Sequence, residues 1–293
     1  MDSDRLLHLF TRAENLIDRL ESLLPAAAAQ PDWSATAYRW IKRAGRGSLQ
    51  PVAHPHGLRL ADLRNVDRQK ALIDRNTRQF VQGLPANNVL LWGSRGTGKS
   101  SLVKAMLAEY ASQGLRLVEI DKHDLTDLPE LVDLLYGRPE RFILFCDDLS
   151  FEAGDPSYKA LKAALDGSVA APPDNILIYA TSNRRHLLPE YFTENNEARN
   201  VDGEIHHGEA VEEKISLSER FGLWVSFYPF DQNEYLAIVF GWLEHLGVAI
   251  DDEETVRAEA LRFALGRGSR SGRVAWQFAR DWAGRQRLGE IPR

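Results

Sequence analysis

Residues 93–100 of this chain read Gly-Ser-Arg-Gly-Thr-Gly-Lys-Ser, directly after the apolar run Val89-Leu90-Leu91-Trp92. These eight residues fit the pattern G-x-x-x-x-G-K-[ST], in which a strand ends, the chain turns tightly and a helix begins. Apolar residues at helical spacing follow at Leu102, Val103, Met106, Leu107 and Tyr110. A strand, a glycine-rich turn and a helix in this order restrict the chain to an α/β architecture.

The residue types in this turn suit the binding of a triphosphate. Gly93, Gly96 and Gly98 let the backbone approach a ligand closely and point N–H groups at it. The helix that starts near Lys99 adds the positive end of its dipole. Lys99 is expected to bring a full charge to the β- and γ-phosphates, and the Ser100 hydroxyl to bind Mg²⁺. The alternative interpretation is a glycine-rich turn that binds nothing. The predicted nucleotide-binding residues here are Gly93, Ser94, Arg95, Gly96, Thr97, Gly98, Lys99, Ser100 and Ser101.

The composition limits the class of protein. The chain has 293 residues, 44% of them hydrophobic and 27% charged, which suits a globular protein with one large or two ordinary domains. No uncharged apolar stretch approaches the roughly 20 residues of a membrane helix, and the charged N-terminus is not that of a secretory signal. We therefore expect a cytoplasmic protein with no membrane partner.

The single cysteine, Cys146, lies in an apolar run and is expected to pack in the core rather than serve in redox chemistry. The net charge of −6 argues against a surface that binds nucleic acid throughout, while a local basic patch stays compatible with it.

Three segments precede the apolar run. Residues 2–24 predict an amphipathic helix with coiled-coil spacing, which either packs on its own domain or serves a partner or second subunit. Residues 33–60 are expected to be irregular or weakly helical, and residues 62–82 helical. Aromatic and basic side chains are mixed in the middle segment, and such a mixture forms either a solvated linker face or a grip on single-stranded nucleic acid. These side chains are Tyr38, Arg39, Trp40, Lys42, Arg43 and Arg46.

From about residue 88 to residue 226 apolar strands alternate with helices. This pattern is typical of a mostly parallel sheet that binds ligands at the carboxyl ends of its strands. The predicted strands span residues 88–92, 116–120, 142–146, 176–181 and 223–227. Residues 193–214 are polar and are expected to form a mobile surface loop. Within it, His206 and His207 lack a third ligand at a suitable spacing and are not expected to bind metal. Helices are predicted at the C-terminus over residues 231–247, 252–266 and 271–287, as a small all-helical domain.

Two of the predicted strands end in polar residues. Asp147 and Asp148 follow the strand 142–146, which would deliver both carboxylates to the edge of the sheet next to the phosphate loop. Asp147 is expected to hold Mg²⁺ through its water shell, and Asp148 to orient or deprotonate an attacking water. Asn183 follows strand 176–181 and is expected to bridge the γ-phosphate and that water, although Ser-Asn at a strand end is also ordinary turn chemistry.

The order of these motifs resembles that of an AAA+ ATPase over about residues 60–288. After Asn183 comes Ser216-Leu217-Ser218-Glu219-Arg220-Phe221-Gly222, which is similar to the arginine-finger stretch of the bacterial replication-initiator branch of that superfamily. The Asp147-Asp148 pair is similar to that branch too. Longer strings resemble the bacterial DUF815 family, and these run from Ala86 to Gly93, from Asp147 to Glu152 and from Tyr179 to His186.

The resemblance implies a P-loop parallel sheet sandwiched by helices, a helical lid, ATP and Mg²⁺ as ligands, and a homo-oligomer in the ATP state. It also implies that Arg220 reaches the nucleotide site of a neighbouring subunit, whereas the residues alone also allow a pair with Glu219 or Glu213. Arg273 matches the second sensor, an arginine that reports the γ-phosphate to the lid. The alternatives for this sensor are Arg267 and Arg270.

The sequence departs from the AAA+ pattern in several places. Asp148 is one methylene shorter than the usual glutamate, so hydrolysis is expected to be slow, and Glu152 could share its task. The stretch Asp121-Lys122-His123-Asp124 lacks the aromatic and glycine residues of a substrate-threading loop, which disfavours an unfoldase. No separate DNA-binding domain is expected after the lid, in contrast to a replication initiator. The expected division is an N-terminal helix and linker over residues 1–60, an AAA+ nucleotide-binding domain over 61–228 and a lid over 229–293.

The leading hypothesis is an ATPase that remodels or loads a protein or nucleic-acid client. Its site would combine residues of one subunit with Arg220 of the next. The alternative is an ATP-dependent binding module or scaffold with negligible turnover. A phosphotransferase would need an acceptor pocket and its own base, and the stretch around Arg220 and the helical C-terminus disfavour it.

Overall fold

The computed structural model describes residues 12, 14, 31–43, 45–152, 155–166, 173–185, 187, 199–201, 204–206 and 217–291. Arg12 and Glu14 are helical. The rest of the amphipathic helix predicted over residues 2–24 lies outside the described residues.

A seven-stranded sheet forms the centre of the molecule. Its order is β2-β1-β4-β5-β6-β3-β9, and all neighbouring strands are parallel except the antiparallel pair of β1 and β2. The mostly parallel α/β sheet predicted from the sequence is confirmed, and each predicted strand lies within one residue of its observed bounds. The strands of the described residues are β1 (Ala37–Arg43), β2 (Arg46–Pro51), β3 (Val89–Gly93), β4 (Leu115–Ile120), β5 (Arg141–Cys146), β6 (Ile176–Ser182), β7 (Arg199–Val201), β8 (Glu204–His206) and β9 (Leu223–Phe227).

Helices cover both faces of this sheet. Because side chains alternate along a strand, each central strand contributes to two hydrophobic clusters. Phe145 points to the cluster that also contains the C-terminal helices, whereas Leu144 points to the cluster on the opposite face. The helices are α1 (Asp67–Val81), α2 (Lys99–Tyr110), α3 (Leu128–Leu135), α4 (Pro156–Asp166), α5 (Gln232–His245), α6 (Glu253–Gly266) and α7 (Gly272–Leu288), with 3₁₀ helices over Leu60–Asp62, Ala111–Gln113 and Lys122–Asp127.

The β1–β2 hairpin corrects the expectation of an irregular or weakly helical segment over residues 33–60. Tyr38 and Trp40 alternate with Arg39, so that both rings are buried and the arginine is exposed. The period of two was obscured because long basic side chains occupy the outward positions. A domain boundary at residue 60 would therefore separate two strands from the sheet with which they pair.

The three C-terminal helices, α5 to α7, were predicted from the sequence and are observed within two residues of their expected bounds. Their buried residues share one cluster with the sheet and with α1 and α2. The segment before α1 is fastened to α5, because Asn65 Nδ2 donates to the Glu234 carbonyl at 2.8 Å and Arg64 pairs with Glu244 at 2.8 Å. Helices α5 to α7, called the helical unit below, therefore pack beside the carboxyl edge of the sheet.

The expected loop over residues 193–214 contains a short antiparallel hairpin of β7 and β8. The expectation of a mobile surface loop did not include these two strands, and its mobility stays a prediction. The rest of that segment, including His207 and the side chain of His206, lies outside the described residues. Among the described helices, none is long and apolar enough to cross a bilayer.

Candidate nucleotide site

The turn between β3 and α2 forms a cradle whose lysine points back into it. Lys99 Nζ donates to the carbonyl oxygens of Gly93 at 2.8 Å and of Ser94 at 2.7 Å. Thr97 Oγ1 donates to the Ser94 carbonyl at 2.8 Å, which holds the turn closed. The ammonium group is thus fixed at the carboxyl end of a central strand, where a parallel sheet binds ligands.

The environment of Lys99 changes its acidity. Burial lowers the pKa of Lys99 to about 8, and the carboxylates of Asp148 and Asp147 oppose this shift. An ammonium that is taken out of water without full compensation loses its proton more easily. An anion in the cradle would supply that compensation, so the site favours a negatively charged ligand.

The two aspartates lie opposite the cradle. Ser100 Oγ donates to Asp147 Oδ1 at 2.6 Å, and Thr181 Oγ1 donates to the same oxygen at 2.6 Å. The backbone N–H of Asp148 donates to Thr181 Oγ1 at 2.9 Å. The end of β5 therefore meets both the start of α2 and the end of β6.

Asn183 connects the acids with the lysine. Its Oδ1 accepts a hydrogen bond from Lys99 Nζ at 3.1 Å, and its Nδ2 donates to Asp148 Oδ1. The structure thus brings together five side chains that the sequence analysis assigned to one site. They are Lys99, Ser100, Asp147, Asp148 and Asn183. Glu152 is exposed and does not line this cavity.

The cradle opens into a cavity of about 790 Å³ between the sheet and the helical unit. Its lining includes the phosphate-loop residues Arg95 to Ser101, with Lys104. It also includes Trp242 and Trp276, whose ring centroids lie 4.7 Å apart. Sequence analysis missed this tryptophan pair, because the two residues come from different helices and form no motif.

The helical unit touches the phosphate loop directly. The backbone N–H of Gly272 donates to the Gly96 carbonyl at 2.8 Å, and Ser271 Oγ caps α7 by accepting from Val274. Arg273, which follows this contact, lines the cavity. Of the alternative arginines, Arg267 lies over the Phe263 ring and Arg270 is exposed, and neither lines the cavity.

Arg220 lies far from this cavity in the same chain. It precedes β9 at the amino end of the sheet and forms an ion pair with Asp166 at the end of α4, rather than with Glu219 as its sequence neighbours allowed. Glu213, the other candidate, lies outside the described residues. The phosphate loop follows the carboxyl end of the neighbouring parallel strand β3, so the length of this five-residue strand, ~16 Å, lies between the two ends of the sheet.

The two aromatic side chains of residues 38–46 lie in the core. Tyr38 and Trp40 are 1% and 2% exposed, so neither ring can stack on a base. Arg39 pairs with Glu119 at 3.0 Å and Lys42 with Asp127 at 2.6 Å. The rings therefore stabilise the sheet, and the basic side chains stay at the surface.

The donor set fits Mg²⁺. This ion prefers a few protein oxygen ligands and completes its shell with water and phosphate oxygens. Ser100 Oγ and Asp147 Oδ1 are such ligands, are in contact and line the cavity beside the cradle. Within the described residues, no group of three His, Cys, Asp or Glu side chains is arranged as a metal site.

Comparison with known proteins agrees with this architecture. A family described as "Protein of unknown function (DUF815)" matches residues 33–286. No curated protein matches the chain. The chain is similar to the Thermotoga maritima RuvB Holliday junction branch migration motor, with a TM-score of 0.53 and 16% identity over 80% of this chain and 67% of that chain. It is also similar to the Aeropyrum pernix ORC1 protein in complex with DNA, with a TM-score of 0.52 and 15% identity over 77% of this chain and 61% of that chain. These similarities confirm the AAA+ fold predicted from the motif order.

Proposed function

The chain belongs to the DUF815 family, and on this premise we propose that it binds ATP with Mg²⁺, hydrolyses it and uses the cycle to remodel or load a macromolecular partner. The observation that carries this proposal is the convergence of Lys99, Asp148 and Asn183 through two consecutive hydrogen bonds in one cavity. A cation for the phosphates and a polar group that orients or deprotonates the attacking water are recurring parts of sites for phosphoryl transfer to water.

Each group has a role in the proposed reaction. Lys99 binds the β- and γ-phosphates, which replace the carbonyl oxygens that its ammonium now contacts. Ser100 and Asp147 would hold Mg²⁺, which supplies charge neutralisation at the phosphates when bound. Asp148 accepts a proton from the attacking water or orients it, and Asn183 fixes Asp148 through its amide nitrogen. The shorter side chain of Asp148 favours slow turnover.

The tryptophan pair of the cavity suits a nucleobase. Trp242 and Trp276 offer ring surface there, and a base gains stacking energy on such a surface. Because the phosphate loop lines the same cavity, we propose that one nucleotide contacts both. Binding should therefore change the tryptophan fluorescence.

The position of Arg220 supports the proposal of a homo-oligomer. That side chain lies at the amino end of β9, whereas its own phosphate loop lies at the carboxyl end of β3. We therefore propose that Arg220 serves the site of a second copy rather than its own. Arg273 is proposed as the lid residue that contacts the γ-phosphate, because it lines the cavity and follows the Gly96–Gly272 contact.

We also propose a division of the chain into three parts. An N-terminal helix and linker would precede an AAA+ nucleotide-binding domain, and the helices from residue 229 onwards would act as a lid over the cavity. The client is proposed to be a protein or a nucleic acid. The descriptions of the two structural neighbours mention a Holliday junction and DNA, while residues 38–46 of this chain offer no exposed aromatic grip.

One observation favours a second candidate function, a non-hydrolysing ATP-dependent binding module or scaffold. The carboxylate of Asp148 already accepts a hydrogen bond from Asn183. This contact occupies an oxygen that a catalytic base would turn toward water, so in this second proposal ATP holds a conformation without turnover.

A single-turnover experiment separates the two functions. Enzyme in excess over γ-labelled ATP, with Mg²⁺, should release labelled phosphate, and Lys99→Ala should release none because it lacks the cradle's cation. Asp148→Asn should bind ATP and release no phosphate. Tight binding by the natural chain without phosphate release would favour the binding module, and the absence of ATP binding would refute both.

A further inference from the structure

Thr181 touches both aspartates of the site through hydrogen bonds of a single hydroxyl group. Its Oγ1 lies 2.6 Å from Asp147 Oδ1 and 2.9 Å from the backbone nitrogen of Asp148. The N–H of Asp148 can only donate, so the hydroxyl accepts there. The hydroxyl proton is then directed to Asp147, and one side chain orders both acids.

The backbone of Asp148 needs such support. Its φ is 52°, in the left-handed region that few residues other than glycine adopt. The chain is held there on both sides by Thr181, because Leu149 N–H donates to the Thr181 carbonyl at 2.7 Å and Asp148 N–H donates to its hydroxyl. A conformation of this kind persists only where its surroundings determine it. The direction of the Asp148 side chain toward Asn183 therefore depends on Thr181.

The burial of Thr181 adds rigidity. The residue is 1% exposed and lies in β6, between β5 and β3, so water cannot take over its two hydrogen bonds. Ser100 Oγ reaches the same carboxylate oxygen of Asp147 from the opposite side at 2.6 Å. Asp147 Oδ1 is thus fixed between one hydroxyl of the phosphate-loop helix and one of the neighbouring strand.

We propose that Thr181 is a positioning residue of the ATPase site: it holds Asp147 in place to receive Mg²⁺ and keeps Asp148 in its left-handed conformation facing the attacking water. This inference rests on the proposed function. Thr181 touches neither phosphate nor water in this scheme and acts through the two aspartates. Residues that orient metal-binding groups typically change metal affinity or activity by about 10- to 100-fold when they are lost.

The chain offers a matched control in the next residue. Ser182 is also fully buried, and its Oγ donates to the Leu149 carbonyl at 2.7 Å, so it supports the same turn without touching either acid. Ser182→Ala removes a buried hydroxyl at the same place in the fold. Thr181→Val removes the hydroxyl under study with little change of volume, and Thr181→Ser restores it.

The test measures ATP affinity with Mg²⁺ and with EDTA, the single-turnover rate, and the melting temperature of each variant. Thr181→Val should keep its affinity in EDTA, lose about 10-fold or more of the gain that Mg²⁺ gives, and hydrolyse about 10- to 100-fold more slowly. Thr181→Ser should restore both quantities. Ser182→Ala should lower the melting temperature and change neither. If Thr181→Val does not fold, Thr181→Ala carries the same comparison.

Three results would overturn the inference. They are unchanged Mg²⁺ dependence and rate in Thr181→Val, equal defects in Thr181→Val and Ser182→Ala, and failure of Thr181→Ser to restore function. A natural chain that binds ATP without hydrolysis would refute the proposed ATPase alone, because the Mg²⁺ dependence of affinity still decides the role of Thr181. A chain that binds no nucleotide would refute both.

Discussion

The amide oxygen of Asn183 lies 3.1 Å from the ammonium nitrogen of Lys99, although 84 residues separate them in the sequence. The amide nitrogen of the same side chain contacts Asp148. One asparagine therefore joins the cation of the phosphate loop to the proposed base, at the shared carboxyl edge of β3 and its neighbour β6. If both contacts are kept, the amide group has one orientation, with its oxygen toward Lys99 and its nitrogen toward Asp148.

Asn183→Ala should impair turnover more than binding. The phosphate cradle and Lys99 remain, so ATP affinity should change little, whereas loss of a fixed donor near the reacting groups should lower the single-turnover rate by on the order of 10²-fold. The control is Asn175→Ala, which removes an amide at the other end of the same strand, where Nδ2 donates to the Leu135 carbonyl at 2.8 Å. Equal single-turnover rates for the natural chain and Asn183→Ala would show that Asn183 has no role in hydrolysis.

The acidity of Lys99 predicts a pH dependence of ATP binding. Its pKa in the folded chain is about 8, below the ordinary 10.5, because burial disfavours the charged form. Phosphates bind the protonated lysine, so affinity should be constant below that pKa and fall by up to about tenfold per pH unit above it. Binding above that pKa should also take up a proton, which calorimetry in buffers of different ionisation enthalpy measures.

The matched control for this dependence is Lys99→Arg, because a guanidinium keeps its charge throughout the range. Whatever the absolute ATP affinity of Lys99→Arg, it should not change with pH through the charge of residue 99. The same linkage has a sign for stability: between pH values of about 8 and 10.5 the unfolded chain binds more protons at Lys99, so this residue makes the free chain more stable as the pH rises. A natural chain whose ATP affinity does not change across that range would contradict the lowered pKa.

The parts of the site carried by consecutive residues were predictable from the sequence. The phosphate loop, the aspartate pair and Asn183 each follow an apolar strand, and parallel strands bring their carboxyl ends to one edge. The β1–β2 hairpin was missed because basic side chains lie between its buried rings, and such a composition is also typical of a polar linker. Thr181 and the tryptophans of the cavity were missed because their roles depend on partners far away in the chain, and no spacing rule encodes such partners.

Gly96→Ala should separate the helical unit from the phosphate loop. Gly96 has a φ of 71°, and an added Cβ would lie 2.8 Å from the Ser271 Cβ, next to the contact with Gly272. The side chain therefore adds a steric conflict to the backbone strain. ATP affinity should fall, and the free energy of unfolding should drop by more than ~1 kcal/mol.

Gly268→Ala is the control for Gly96→Ala. Its φ is similar, 63°, but nothing lies within 4 Å of an added Cβ. This variant should show the strain alone and leave ATP affinity unchanged. If both variants weaken ATP binding equally, the contact between the phosphate loop and α7 does not matter for the ligand.

Tyr179→Phe should destabilise the core behind the phosphate loop. The Tyr179 hydroxyl accepts from Asn76 Nδ2 at 3.0 Å and lies 2.9 Å from Thr77 Oγ1, and all three side chains are buried. Removing the hydroxyl leaves an amide N–H of Asn76 without its acceptor, which costs about 1–3 kcal/mol. Urea unfolding measures this loss. Tyr235→Phe removes a hydroxyl with one bond, to the Ala260 carbonyl at 3.1 Å, and should cost less. An equal or smaller loss for Tyr179→Phe would show that this network adds no stability.

Arg220→Ala tests the shared site. The natural side chain is paired with Asp166 at the amino end of the sheet, away from its own cavity. ATP binding should therefore be unchanged in Arg220→Ala, while turnover should fall by a large factor, since arginine fingers contribute about 10³–10⁵ in rate in related enzymes. Arg220→Lys, which keeps one charge without the planar fork, should recover only part of the rate.

Mixing two inactive variants distinguishes a shared site from a structural role of Arg220. Lys99→Ala cannot hold ATP but carries an intact Arg220, whereas Arg220→Ala holds ATP but lacks the finger. In a mixed oligomer with equal amounts, about one site in four would pair an intact Lys99 with an intact Arg220 from the neighbour, and activity should reappear. Phosphate release by the mixture, as a function of total protein concentration, measures this. The contrary result is a mixture no more active than the sum of its parts, under conditions in which the natural chain oligomerises and hydrolyses ATP. Arg220 would then have a structural role in its own subunit, through the ion pair with Asp166.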